Sequence, residues 1–156
     1  MNRQEQIDVI RAFPTRLEAI VGELRRAQIS AIPIDNEWSI AQNVHHCADS
    51  HMNSYVRCKL MATEDNPTLK PYDEVAWAQF ADSNTTDLSN TFALLRGLHA
   101  RWADFWESLG DDDWARTGYH PGNDATVTLA DQLEGYVRHC NAHIDQIQRN
   151  LKAMEY

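Results

Sequence analysis

Residues 128–151, TLADQLEGYVRHCNAHIDQIQRNL, carry the clearest helical signature in the chain. Within it Leu133, Tyr136, Val137, Cys140, Ile144, Ile147 and Leu151 recur every three or four residues, the period of one buried face of an α-helix. Thr128 stands at the N-cap and Asp131 at the matching position of a capping box. The spacing predicts a helix running to about Met154. His139 and His143 lie on it at i and i+4, so both imidazoles share one face about one turn apart, as two ligands of one metal ion must. Tyr136 and Ile147 extend that face, which turns the pair toward the interior.

Three more helices of the same kind precede it. The first covers about Arg3 to Gln28 on Ile7, Ile10, Leu17, Ile20, Val21 and Leu24, and Pro14 predicts a kink or a fresh start inside it. The second follows Ser39, a cap with Gln42 as its capping-box partner, and runs on Ile40, Val44, Cys47, His51, Tyr55 and Cys58 to about Met61. The third runs from about Asp87 to Ser108, with Leu88, Phe92, Leu95, Leu98, Trp102 and Phe105 or Trp106 inward. Between the second and third lies a long connection, Ala62 to about Thr86, expected to hold a short helical turn around Glu74 to Phe80 and to cross one end of the bundle. A second loop, Thr117 to Thr126, carries Tyr119 and His120. No alternating Val/Ile-rich strand and no internal repeat is visible. The expected fold is all-α: a four-helix bundle with a long crossover connection between helices 2 and 3.

Composition narrows the function classes. The 156 residues, 43% hydrophobic and 24% charged, predict one globular domain over 1–156. With 14 Lys plus Arg against 23 Asp plus Glu the net charge is -9, a surface that repels phosphate backbones and argues against nucleic-acid binding. No apolar run approaches the ~20 residues that span a bilayer, and the start Met-Asn-Arg-Gln-Glu-Gln lacks the apolar core of a signal peptide. Cys47, Cys58 and Cys140 each sit in an apolar-periodic stretch, the pattern of reduced core thiols. The expected location is therefore the cytoplasm.

A third histidine on another helix would complete a site with His139 and His143. The second helix offers His45, His46 and His51. His46 lies on the polar stripe Gln42-His46-Asp49-Asn53, His45 is rotated from it by about 100°, and His51 follows the apolar stripe as a packed or supporting residue. Helical geometry favours His46. The pair lacks the intervening glutamate of HExxH, so the zinc-protease template does not apply. No Glu-x-x-His pair recurs on two helices, which argues against a di-iron carboxylate site.

The segment Trp38-Ser39-Ile40-Ala41-Gln42-Asn43-Val44-His45-His46-Cys47-Ala48-Asp49-Ser50-His51 resembles the DinB superfamily of metal-binding four-helix bundles, and more narrowly its YfiT-like branch. Met52-Asn53-Ser54-Tyr55, Pro67-Thr68-Leu69-Lys70-Pro71-Tyr72-Asp73, Gly97-Leu98-His99-Ala100-Arg101-Trp102, Tyr119-His120-Pro121 and Tyr136-Val137-Arg138-His139-Cys140-Asn141-Ala142-His143 continue the likeness in the same order. The resemblance implies that the metal ligands are His46, His139 and His143. It departs at Arg138, where the branch often has tryptophan, and at Ala142, where it often has histidine, both beside the ligand positions and not on them.

Three imidazoles leave one position of a tetrahedral divalent ion open, the pattern of a catalytic zinc site. The resemblance implies one such ion per chain, zinc or alternatively nickel. It also implies a bacillithiol-like S-transferase, in which a low-molecular-weight thiol attacks a small electrophile, and a homodimer. The residues alone equally allow a metal-dependent hydrolase, or a non-catalytic stress protein whose metal fastens two helices. Gln42, Asp49, Tyr119 and His120 are expected to support a ligand or reach the open face.

Overall fold

The structure, a computed structural model, describes residues 1–155. Four long helices build it: α1 (Arg3–Val21), α3 (Ile40–Thr63), α5 (Ser89–Glu107) and α6 (Leu129–Ala153), with the short helices α2 (Arg26–Ser30) and α4 (Glu74–Trp77) between them. α1 and α3 each pack against both α5 and α6, which sets α1 opposite α3 across the bundle. Both capping boxes read from the sequence are formed. Ser39 Oγ accepts from the Gln42 amide while Gln42 Oε1 accepts from that of Ser39, and Thr128 pairs with Asp131 in the same way. One continuous core fills the interior, from Ile10, Phe13 and Leu17 on α1 to Trp102 and Trp106 on α5 and Leu133 and Ile147 on α6.

The first helix is shorter than its periodicity suggests. It stops at Val21, and a turn leads into α2. Gly22, which costs about 1 kcal/mol against alanine inside a helix, occupies the C-cap, and the Gln28 side chain returns to the Arg25 amide to start the next helix. Pro14 neither ends α1 nor begins a new helix. Proline lacks the N–H that would bond the carbonyl four residues back, and here that carbonyl, on Ile10, is taken by His99 Nδ1 at 2.6 Å. On α5 the buried stripe is Phe92, Leu95, His99, Trp102 and Trp106, so His99 takes the core position expected of Leu98.

The connection from α3 to α5 runs back along α3, where α4 and a 3-10 turn at Asp82–Asn84 pack. Within the Thr117–Thr126 loop the structure has strands that the sequence reading lacked. β1 (Thr117–His120) and β2 (Ala125–Thr128) form an antiparallel hairpin with Thr117 opposite Thr128. Each strand has four residues, too few to show an alternating pattern against the base length of about five or six. Tyr119 also bonds Pro67 and Leu69 through its backbone, which pins the long connection to the hairpin.

Candidate metal centre

His46 stands two turns into α3, and His139 and His143 lie midway along α6, which packs against it. One ring nitrogen of each lies within 4.8 Å of the other two. His46 Nε2 and His139 Nε2 are 3.3 Å apart, which is the spacing of two nitrogens bound to one tetrahedral ion at about 2.0–2.1 Å. The donor set and its geometry fit a divalent cation.

Burial keeps these imidazoles neutral, the form that binds metal. It lowers His46 to about 3, with His143 nearby adding to the effect, and lowers His143 to about 4. His139 is pushed well below its ordinary value, again by burial first and by His143 and His46 second. Two residues fix ring orientation. Asn43, fully buried, donates its amide N–H groups to the Ser39 and Trp38 carbonyls, so its Oδ1 faces His143 Nδ1 at 2.9 Å as an acceptor. His143 therefore carries its proton on Nδ1 and leaves Nε2 free. His51 Nε2 meets His139 Nδ1 at 3.0 Å. Metal-binding histidines characteristically bond a partner through the second nitrogen in this way.

A cavity of about 400 Å³ opens over the three rings, walled by Trp38, Glu74, Glu37, Gln146 and Arg149. The Trp38 ring lies 4.7 Å from that of His46 and stacks nearly parallel to His143. Glu74, delivered by α4, places Oε2 3.9 Å from His46 Nε2. The sequence assigns no site role to Glu74, Asn43 or His99. The signal for Asn43 and His99 was a polar residue in register with an apolar stripe; Glu74 carried none, because the crossover brings it from 28 positions away.

The four supporting residues expected from sequence sit elsewhere. Gln42 is consumed by its cap and by the Ala78 carbonyl. Asp49 borders a second cavity with His45 and Asp82, and burial and Asp82 raise its carboxyl. Tyr119 donates to Asp124 on the hairpin, and His120 lies at the end of β1. Among the described residues none of the four is hydrogen-bonded to His46, His139 or His143. Their positions on the polar face of α3 or in a loop indicated exposure, whereas the contacts that orient a buried ring come from the core side.

Residues 10–147 match the DinB superfamily. The chain belongs to this superfamily. It is 41% identical over 145 residues to the Bacillus subtilis protein named "Putative metal-dependent hydrolase YfiT", covering 93% of this chain and 82% of that one. A Bacillus licheniformis relative with the same hydrolase name is 36% identical over 97% of this chain and 86% of its own. The solved structure of YfiT from Bacillus subtilis, described as having an unusual four-helix bundle topology, superposes with a TM-score of 0.95 at 39% identity, covering 99% of this chain and 88% of that one. The bundle read from sequence is thus the fold of this DinB-superfamily chain, and its relatives carry names for metal-dependent enzymes. Among its described residues no helix is long and apolar enough to cross a membrane.

Proposed function

We propose that this DinB-superfamily protein is a divalent-metal-dependent enzyme that holds one zinc or nickel ion on His46, His139 and His143 and transfers a low-molecular-weight thiol to a small electrophile. The observation that carries this reading is the convergence of three neutral imidazoles at the floor of an open cavity, with no fourth His, Cys, Asp or Glu among the described residues joining that cluster. When bound, a divalent cation lowers the pKa of a thiol or water at its open position. Glu74 Oε2, beside His46 at the cavity wall, accepts the proton that the thiol gives up. The sulfur then forms its bond to the electrophilic carbon as the carbon–leaving-group bond breaks; Glu74 returns the proton to a departing oxygen, as in epoxide opening, or passes it to water when a halide leaves. Trp38 shields one side of the rings from water, and Arg149, which pairs with Glu37 at 3.3 Å on the same wall, would have to share its charge with that carboxylate to hold one on the thiol.

The hydrolase names of the relatives support a second reading, in which water takes the place of the thiol. Two measurements decide. Metal analysis should find about one ion per chain in the wild type and none in the His139→Ala, His143→Ala variant; unchanged metal content would remove the site. Thiol consumption with a model epoxide or alkyl halide should be lost with chelator, whereas ester or amide cleavage without any thiol would replace the transferase with the hydrolase.

A further inference from the structure

Behind the candidate ligands runs a line of buried histidines that the proposed reaction does not touch. It begins at the Ile10 carbonyl, which Pro14 leaves without a helical donor. His99 Nδ1 lies 2.6 Å from that oxygen, His99 Nε2 lies 2.7 Å from His51 Nδ1, and His51 Nε2 lies 3.0 Å from His139 Nδ1. His51 and His99 have no exposed surface. Phe13 packs on both rings, with centroids at 5.1 and 5.2 Å, and Trp102 on both at 5.8 and 5.7 Å.

We propose that His99 and His51 are positioning residues: a one-way chain of hydrogen bonds that starts at the Ile10 carbonyl and ends by holding the His139 proton on Nδ1, so that Nε2 presents its lone pair to the cation. The direction follows from hydrogen-bond chemistry. A carbonyl only accepts, so His99 Nδ1 carries hydrogen. Burial lowers His99 to about 4, and a neutral ring protonated at Nδ1 must accept at Nε2. His51 Nδ1 therefore donates to it. Among the described residues no carboxylate touches His51, and a charge among Phe13, Trp102 and Tyr136 would be expensive. His51 is then also neutral and accepts at Nε2, which leaves His139 Nδ1 as the donor. Each ring has only one tautomer open to it once the ring before it is set. Pro14 supports the arrangement by keeping the Ile10 oxygen available, and Asn43 performs the same task for His143 in a single step.

The proposal rests on the reading of His139 as a ligand, but it makes a statement about the metal-free protein that can be tested without it. Long-range nitrogen–proton NMR on the histidine-labelled, metal-free protein at neutral pH should show His99, His51 and His139 all as Nδ1–H tautomers, each assigned by loss of its signals in a single variant. An Nε2–H tautomer on His139 or His51 would overturn the proposal. Zinc titration supplies the second arm. His99→Phe keeps the ring shape but frees His51 to reverse, and should weaken zinc binding about 10–100-fold although residue 99 contacts no ligand. His99→Gln, whose amide can donate to Ile10 and accept from His51, should recover most of the affinity. Unchanged affinity in His99→Phe overturns the proposal; should that variant fail to fold, the wild-type tautomers decide alone. If the wild type shows the three Nδ1–H tautomers and binds no zinc, the metal reading fails and the hydrogen-bond direction stands.

Discussion

Asn43 has no exposed surface and three polar partners: two carbonyls that accept from its amide nitrogen, and His143, which donates to its oxygen. Replacing it with an isosteric apolar residue removes the acceptor and leaves a buried N–H unpaired, which costs about 1–3 kcal/mol. Asn43→Leu should therefore lower stability by that amount in urea denaturation and weaken metal binding about 10–100-fold in a competition titration. Gln42→Ala is the matched control. It loses a cap contact and the Ala78 carbonyl bond on the same turn of α3, so its stability falls while its metal affinity stays at the wild-type value. Equal affinities in the two variants would show that Asn43 does not orient His143. At this scale the sequence was only partly legible. His139 and His143 declared themselves by spacing, because i and i+4 share a helical face whatever lies opposite. Asn43 and His99 did not, because a hydropathy stripe records where water is excluded and says nothing of which polar group meets which.

The long helices were legible because each carries an apolar period of three to four residues, and α3 and α6 also announce their starts with the capping boxes Ser39–Gln42 and Thr128–Asp131. The hairpin was not, since each strand has only four residues and β1 is held in part by Pro67 and Leu69 on the crossover. Gly118 shows how tight those contacts are. A Cβ there would lie 2.9 Å from both Leu69 methyl groups and from Met61 Cγ, the residues through which the crossover and the end of α3 meet the hairpin. Gly118→Ala should cost about 1–3 kcal/mol by overpacking, read as a lower urea midpoint with an unchanged slope. Because this end of the bundle is remote from the imidazoles along α3, metal affinity should be retained. A wild-type midpoint in Gly118→Ala would mean that the hairpin gives way easily and does not anchor the crossover. A proline in mid-helix reads as a break when the helix is considered alone, and ceases to be one when α5 supplies a donor to the carbonyl it orphans.

Across the whole molecule, burying several neutral histidines ties stability to pH. His99 is held at about 4 by burial, below the ordinary 6.5. Above about pH 6.5 neither the folded nor the unfolded chain protonates it, and its neutral form costs nothing. As pH falls from 6.5 toward 4 the unfolded chain binds the proton and the folded one does not, so folding stability declines by about 1.4 kcal/mol per pH unit for this group. Between pH 7 and 5 its share is about 2 kcal/mol. In chelator, wild type should lose stability over that interval, and His99→Gln should lose about 2 kcal/mol less; parallel losses would show that His99 is not neutral in the folded core. The four amphipathic helices, the caps of α3 and α6 and the face shared by His139 and His143 were legible along the chain, because they depend on neighbours within a turn or two. Packing alone sets Glu74 at the cavity, pins the crossover with a hairpin and links a carbonyl freed on α1 to His139 through two rings, while it brings to His139 and His143 the His46 that helical geometry already favoured over His45. Each of those contacts joins residues on different elements, and their meeting depends on how the elements pack, which no local pattern records.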